Sequence, residues 1–128
     1  MLFDSWAWWE VVHATPRGER LAERYLAVLG VRVLTVDYTL AEIAAKLVLV
    51  GLQDDVPDAL SEVESVSDVV PITPEVAGLA GGLRLELRRV DPNASLADAV
   101  VLASARWRGA VLISGDPCFA GQRDVRAS

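Results

Sequence analysis

Four acidic side chains occupy positions in this sequence where a parallel sheet would bring them together. Asp4 follows a short apolar start, and Glu42 opens a helix shortly after a run of β-branched residues. Asp98 lies near the start of an alanine-rich helix, and Asp116 follows a short buried strand. Ligands of parallel sheets bind beyond the carboxyl ends of the strands. We therefore expect the four carboxylates to form one site at that edge of a sheet.

Carboxylates gathered in this way need a cation between them. Two charges at about 4 Å repel by roughly 4 kcal/mol at an effective dielectric constant of about 20. Oxygen ligands without histidine or cysteine favour Mg²⁺ or Mn²⁺, which activate water and hold phosphate oxygens. The predicted reaction is therefore phosphodiester hydrolysis without a covalent enzyme intermediate. No other catalytic set stands out, because His13 is the only histidine and the chain has neither a Walker A loop nor a GxGxxG motif.

Each acid also has a structural explanation, which the spacing alone leaves open. Glu42 stands three residues after Thr39 and Asp98 three residues after a serine, which is the spacing of a capping box. Asp116 lies in a Ser-Gly-Asp-Pro sequence that is typical of turns, and Asp4 is well placed to cap a helix. Spacing by itself therefore does not decide between a metal site and a set of helix caps.

The elements that must position these acids alternate between strands and helices. Short apolar runs predict strands at Met1–Phe3, Val31–Val36, Asp68–Ile72 and Ala110–Ser114, with an edge strand near Val125. Apolar stripes at helical spacing predict helices at Trp6–His13, Pro16–Leu29, Leu40–Val50, Asp54–Ser67, Thr73–Val90 and Leu96–Arg108. This alternation is typical of an α/β three-layer sandwich, with a central, mostly parallel sheet of four to five strands flanked by helices. We expect a single domain over residues 1–128.

Composition narrows the functional classes. The hydrophobic fraction of 52% suits a substantial core and is too high for a disordered chain. The net charge of −6 argues against a generic nucleic-acid binder, although bound divalent ions would offset it. Cys118 is the only cysteine, which excludes an internal disulfide and a cysteine-based zinc site, and we expect it to be a small packed residue. The sequence shows no signal peptide and no membrane span, so a cytoplasmic protein is expected.

Three further features have two interpretations each. Trp6, Trp8 and Trp9 could stack on RNA bases, or fill the core or a subunit interface. Gly81 and Gly82 interrupt the fifth helix, which indicates close packing against another element or a bend. Arginines of the fifth and sixth helices could bind a phosphate backbone or lie on an ordinary solvated face, and these are Arg84, Arg88, Arg89, Arg106 and Arg108.

The segments that carry the acids resemble the motifs of PIN-domain ribonucleases. They are FDSWAWWE, TLAEIAAKL, SLADAVVLASARWRGAVLISGD and the closing CF, and they follow the family's order and spacing over essentially the whole chain. The toxin half of VapBC toxin–antitoxin pairs, of the archaeal type, is the most similar group. No single motif is specific, whereas the ordered set is. The tryptophan-rich WAWW and the short segment after Phe119 depart from the family's pattern.

This resemblance implies a metal-dependent endoribonuclease. The acids of this chain that match the family's catalytic carboxylates, which bind Mg²⁺ or Mn²⁺ and support RNA cleavage, are Asp4, Glu42, Asp98 and Asp116. Ser114, two residues before the last acid, would orient the carboxylates through hydrogen bonds. The resemblance also implies a homodimer and a cognate antitoxin protein, which places its C-terminal segment across the active site.

Two other functions stay open at this point. One is a PIN-fold nuclease of RNA processing or decay without a role as a toxin. The other is a non-catalytic binding or scaffold module, in which the acids only cap helices and the tryptophan-rich helix forms a partner surface. Binding of a divalent ion separates this module from a nuclease of either kind.

Overall fold

The computed structural model describes residues 1–127, and it contains a sheet of five strands that all run parallel. In chain order the strands are β1 (Leu2–Phe3), β2 (Val33–Val36), β3 (Ser67–Val70), β4 (Leu112–Ile113) and β5 (Val125–Arg126). Their order across the sheet is β3-β2-β1-β4-β5, so β1 lies at the centre. The predicted edge strand near Val125 is therefore present.

Helices cover both faces of this sheet. Within residues 1–127 they are α1 (Ser5–Val12), α2 (Pro16–Leu21), α3 (Asp37–Leu49), α4 (Val56–Val66), α5 (Pro74–Val90) and α6 (Leu96–Trp107). Leu2 and Leu112 pack with α5 and α6, whereas Phe3 and Ile113 pack with α1 to α4. Successive side chains of a strand point to opposite faces, so even the two-residue strands β1 and β4 contribute to both cores. The predicted three-layer α/β sandwich is confirmed.

Aromatic side chains hold α1 against the sheet. Trp8 and Phe3 are fully buried with their ring centroids 4.9 Å apart, and Tyr25 meets Phe3 edge-on at 5.8 Å. Burying a large apolar side chain stabilises the fold by about 1.5–3 kcal/mol. Trp8 therefore belongs to the core, which is one of the two interpretations of the tryptophan cluster. This packing fixes how the chain leaves β1 at Asp4.

The second predicted helix is wrong in its C-terminal half. The α-helix ends at Leu21 and passes into a π-helical turn over Ala22–Leu26, where the Ala27 N–H donates to the Ala22 carbonyl at 2.9 Å. A π-turn holds one more residue than an α-turn, and the helix ends with it at Leu26. Leu29, predicted to be buried on this helix, lies in the turn that follows and is 97% exposed.

The third helix begins earlier than predicted. α3 starts at Asp37, whose carboxylate accepts a hydrogen bond from the Tyr38 N–H at 2.7 Å. An acid in the first turn also favours the helix N-terminus electrostatically. Thr39 is consequently buried inside the helix, and Val36 takes the N-cap position without a side-chain bond. The predicted capping box between Thr39 and Glu42 is therefore wrong.

Other predicted boundaries and buried positions also differ from the structure. β2 begins at Val33 in place of Val31, and β3 runs over Ser67–Val70 in place of Asp68–Ile72. In α5, Gly81 and Gly82 face open space, since a Cβ at either would meet nothing within 4 Å. Close packing therefore does not explain this glycine pair. Of the α-helices in the described part of the chain, none has the length and hydropathy that a bilayer span requires.

Candidate metal centre

The carboxyl ends of β1, β2 and β4 open on one edge of the sheet, and the four predicted acids lie there. Asp4 comes directly after β1, and Asp116 follows β4. Glu42 lies in the second turn of α3, which begins where β2 ends, and Asp98 lies in the first turn of α6. The charges of Asp98 and Asp116 raise the pKa of Asp4, and the charges of Asp98 and Asp4 raise the pKa of Glu42. All four acids are thus near enough to interact through their charges, and among them Asp98 and Asp116 have carboxylate oxygens within 4.8 Å of each other.

Asp4 is held between α1 and the end of β4. Its Oδ1 accepts a hydrogen bond from the Ala7 N–H at 2.9 Å and so caps α1. The nearby Ser114 hydroxyl lowers the pKa of this carboxyl. Only 6% of Asp4 is exposed, whereas an N-cap on the surface does its work while solvated. Capping alone therefore does not account for the burial of this acid.

Asp98 and Asp116 are each fixed by backbone hydrogen bonds. Asp98 forms a capping box with Ser95, in which the Ser95 N–H donates to Asp98 Oδ2 at 2.8 Å and the Asp98 N–H to Ser95 Oγ at 3.1 Å. Asp116 Oδ1 accepts from the Cys118 N–H at 2.9 Å, and its own N–H donates to Ser114 Oγ at 3.1 Å. Ser114 thereby holds the last of the acids by a hydrogen bond, and its hydroxyl also affects the pKa of the first.

The negative charges at this edge of the sheet destabilise the folded protein unless a cation binds between them. Burial raises the pKa of Asp4 from 3.8 to about 6, against the lowering effect of hydrogen bonds from Ser114 and the Ala7 N–H, and the charges of Asp116 and Asp98 raise it further. Burial also raises the pKa of Glu42 from 4.5 to about 7, and the charges of Asp98 and Asp4 add to this. Perturbed carboxylates that cluster in this way are typical of functional sites.

Cys118 belongs to the same cluster, which sequence reasoning missed. Its Sγ and one carboxylate oxygen each from Asp98 and Asp116 lie within 4.8 Å of one another. Burial, followed by the charges of the two acids and hydrogen bonds to their carboxylates, raises the pKa of the thiol far above its usual range. The thiol therefore stays protonated at neutral pH beside the two acids. Its place two residues after Asp116, in the closing CF, was the available signal.

We expect Cys118 to resist thiol reagents in the native protein. The residue is 1% exposed, and the reactive species is the thiolate, which the raised pKa keeps scarce. A disulfide-exchange reagent such as DTNB should react negligibly under native conditions and should label the single thiol fully in guanidinium chloride. Rapid labelling of the folded protein at neutral pH would contradict this environment.

Two of the arginines considered as phosphate ligands make structural contacts instead. Arg88 Nε donates to the Ala94 carbonyl at 3.1 Å, which ties α5 to the loop before α6. One terminal nitrogen of Arg106 donates to the Gln122 side chain at 3.1 Å. These contacts favour a structural role for both side chains.

The donor set of the cluster fits a hard divalent cation. Carboxylate oxygens supply the charged ligands, and Mg²⁺ and Mn²⁺ prefer such oxygens. The Cys118 thiol is a poor metal ligand while it stays protonated, so it does not favour a soft metal at this site. Asp98 and Asp116 offer ligand oxygens within 4.8 Å of each other, and Asp4 and Glu42, which interact with them through their charges, could complete the ligand set.

Several proteins of known structure share the fold of this chain. No curated protein matches the chain in sequence. A toxin–antitoxin complex from Klebsiella pneumoniae contains a chain of similar structure, with 21% identity, a TM-score of 0.75, and coverage of 98% of this chain and 94% of that one. The DNA-bound VapBC complex from Salmonella typhimurium gives 16% identity and a TM-score of 0.74, covering 99% and 95% of the two chains.

VapC20 from Mycobacterium tuberculosis, described as a toxin that cleaves the sarcin–ricin loop, is a third similar structure. It has 22% identity and a TM-score of 0.69, and 98% of each chain is covered. Similarity at this level of identity establishes a common fold. The family model of the PIN domain matches residues 1–123, which is nearly the whole chain. The chain therefore belongs to the PIN domain family.

Proposed function

We propose that this PIN-domain protein is a metal-dependent endoribonuclease that hydrolyses RNA phosphodiester bonds. The observation that supports the proposal is a set of four acids at one sheet edge that interact through their charges, with the pKa values of Asp4 and Glu42 raised. Uncompensated buried charge costs stability. A divalent cation offsets this cost, because it attracts the same carboxylates that repel one another.

Each residue of the cluster has a role in this proposal. A bound divalent ion supplies Lewis acidity, which activates water and neutralises phosphate charge. The ligands are the carboxylates of Asp4, Glu42, Asp98 and Asp116. Ser114 orients Asp116, whose N–H donates to its hydroxyl oxygen, and its hydroxyl lowers the pKa of the Asp4 carboxyl.

The protein is further proposed to act as the toxin of a toxin–antitoxin pair in the cytoplasm. The fold supports this role. Over nearly the whole chain it is shared with members of toxin–antitoxin complexes and with a toxin described as cleaving the sarcin–ricin loop. An RNA substrate and a protein antitoxin then follow as partners. The free thiol of Cys118 agrees with a reducing compartment.

A groove of about 450 Å³ between α1, α2 and α4, which none of the four acids lines, suits an antitoxin segment other than the one expected across the active site. Its lining is largely apolar and includes Val11, Ala14, Leu26 and Val66. Three glutamates also line it, namely Glu19, Glu23 and Glu62. The expected occupant is therefore an amphipathic segment of the antitoxin that carries basic residues beside its apolar face.

A second copy of the chain is the proposed occupant of an apolar depression near the site. Its lining is Tyr38, Ile72, Leu96, Ala97 and Val100, and Tyr38 and Leu96 are each 50% exposed. Exposed apolar clusters commonly mark interaction sites. Two copies that each carry a net charge of −6 repel overall, so a contact between them is favoured where the surface is uncharged. This supports a homodimer.

An RNA cleavage assay with and without EDTA tests the proposed activity. We expect the purified protein to cut an end-labelled RNA in the presence of Mn²⁺, to stop on addition of EDTA, and to resume when Mn²⁺ is restored in excess. Calorimetry with MnCl₂ accompanies the assay. Absence of both cleavage and Mn²⁺ binding would contradict the nuclease and leave the non-catalytic module.

The toxin role needs its own measurement. Induced expression in bacteria should arrest growth, and an Asp116→Asn variant should not. Cleavage in vitro without growth arrest would favour the nuclease of RNA processing over the toxin.

A further inference from the structure

Gly115 lies beside the acidic cluster, and its missing side chain makes room for Trp6. A Cβ built on Gly115 would overlap three atoms of the Trp6 indole, with Cε2 at 2.6 Å and Cη2 at 2.7 Å among them. The φ angle of Gly115 is not positive, unlike those of Gly30, Gly51 and Gly109. The position therefore requires glycine because of space, and the group that takes this space is an indole.

Two contacts join the start of α1 to the loop Ser114–Asp116. The first is polar, because the Asp4 N–H donates to the Ile113 carbonyl at 3.4 Å, directly before the loop, and within the loop the Asp116 N–H donates to Ser114 Oγ at 3.1 Å. The second is the apolar contact between Gly115 and Trp6, which stands two residues after Asp4. Two attachments fix an orientation that a single hydrogen bond leaves free. The contacts thus restrain the spacing of Asp4 and Asp116.

The indole of Trp6 is itself restrained. The Arg17 guanidinium carbon lies 5.8 Å from the centroid of its ring, within cation–π range. Arg17 is in α2, which packs closely on α1 at Gly18, where a Cβ would overlap the backbone of Glu10. Trp6 is therefore flanked by Arg17 as well as by the loop that carries Asp116.

We propose that Trp6 is a positioning residue of the metal centre. Its indole, packed on Gly115 and flanked by Arg17, holds the loop so that Asp116 and Asp4 bind one divalent ion together. This inference rests on the proposed function, since it assigns Trp6 to the same site. It differs from base stacking on Trp6, which would make this residue a contact of RNA and leave metal binding unaffected.

Calorimetry with MnCl₂ on four proteins tests the contact directly. We expect Gly115→Ala to weaken Mn²⁺ binding by about 10-fold or more, in the range seen when residues behind metal ligands are changed. Trp6→Ala should weaken it by a smaller factor, because the loop is released but not displaced. The double variant should match Trp6→Ala alone, since removal of the indole removes the overlap. Losses that add in the double variant would overturn the proposal.

Trp6→Phe is a second test that keeps an aromatic ring on α1. Two of the three atoms next to Gly115, Cζ2 and Cη2, lie at the outer end of the indole, beyond the reach of a phenylalanine ring. This variant should therefore weaken Mn²⁺ binding as Trp6→Ala does, with its thermal unfolding close to that of the wild type. Wild-type affinity in both Trp6→Phe and Trp6→Ala would overturn the positioning role.

Steady-state kinetics separate positioning from RNA stacking. Positioning predicts a lower kcat at a given Mn²⁺ concentration and an unchanged KM for RNA, whereas stacking predicts a higher KM with unchanged Mn²⁺ affinity. Matched controls are Trp107→Ala, an exposed tryptophan at the far end of α6, and Gly82→Ala, where a Cβ meets open space. If the wild type itself bound no Mn²⁺, the proposed function would fail, and this result is distinct from a failure confined to the variants.

Discussion

Asp116→Asn is expected to abolish Mn²⁺-dependent RNA cleavage while leaving the fold intact. The substitution removes one charged ligand atom but keeps an oxygen that can accept from the Cys118 N–H. We expect a loss of at least about 100-fold in kcat/KM, since changes behind metal ligands already cost 10–100-fold. The measurement is cleavage of a labelled RNA at fixed Mn²⁺, beside Mn²⁺ affinity by calorimetry.

Asp98→Asn should give the same result for the same reason. An asparagine can still accept from the Ser95 N–H, so the start of α6 is preserved. The matched control is Asp91→Asn, which changes an acid of the preceding loop whose carboxylate accepts from the Asn93 N–H. Wild-type cleavage by Asp98→Asn or Asp116→Asn, or an equal loss in Asp91→Asn, would show that these acids do not form the reactive site.

Capping and metal binding are not alternatives for three of these acids. Asp4, Asp98 and Asp116 all cap helical turns, and all three lie in the acidic cluster. A parallel sheet explains this, because the helix that follows a strand begins at its carboxyl end, where ligands bind. Helix N-termini also attract negative charge, which offsets part of the repulsion between the acids. The spacing of these acids in the sequence is therefore typical of helix caps and of metal ligands at the same time.

The layer architecture could be predicted because its signals are local. Short apolar runs and helical stripes mark the strands and helices, and their alternation indicates a parallel sheet. The π-turn at Ala22–Leu26 could not be predicted, since an apolar stripe does not record where a helix gains one residue. The start of α3 at Asp37 was missed because Thr39 offered a plausible cap, and the structure places that residue inside the helix.

Contacts within the site were harder to predict than the acids. Cys118 and Gly115 carry no helix or strand signal, and what matters about them is which side chains approach them in three dimensions. The acids could be predicted because sheet topology brings the ends of distant strands together. Trp6 drew attention through its type, but only the fold puts it against the loop of Asp116.

The metal-free protein is expected to lose stability as the pH rises from about 4 to 7. The folded-state pKa values of Asp4 and Glu42, about 6 and about 7, lie above their ordinary values of 3.8 and 4.5. The folded state therefore holds protons that the unfolded state has released, and stability falls over this window and stays low above it. The shift of the buried Asp4 corresponds to about 3 kcal/mol, and the partly exposed Glu42 adds less.

Mn²⁺ should reverse this dependence, and Asp4→Asn should remove much of it. The ion binds deprotonated carboxylates, so its affinity and the stability it adds both increase as the pH passes the raised pKa values. Urea unfolding in EDTA and in Mn²⁺ at several pH values measures both effects. In EDTA above pH 7, Asp4→Asn should be more stable than the wild type, whereas Glu86→Gln, an exposed acid of α5, should follow the wild type. Rising stability of the metal-free wild type across this window would contradict the raised pKa values, because the same burial that makes the cluster a site for a cation makes it unfavourable without one.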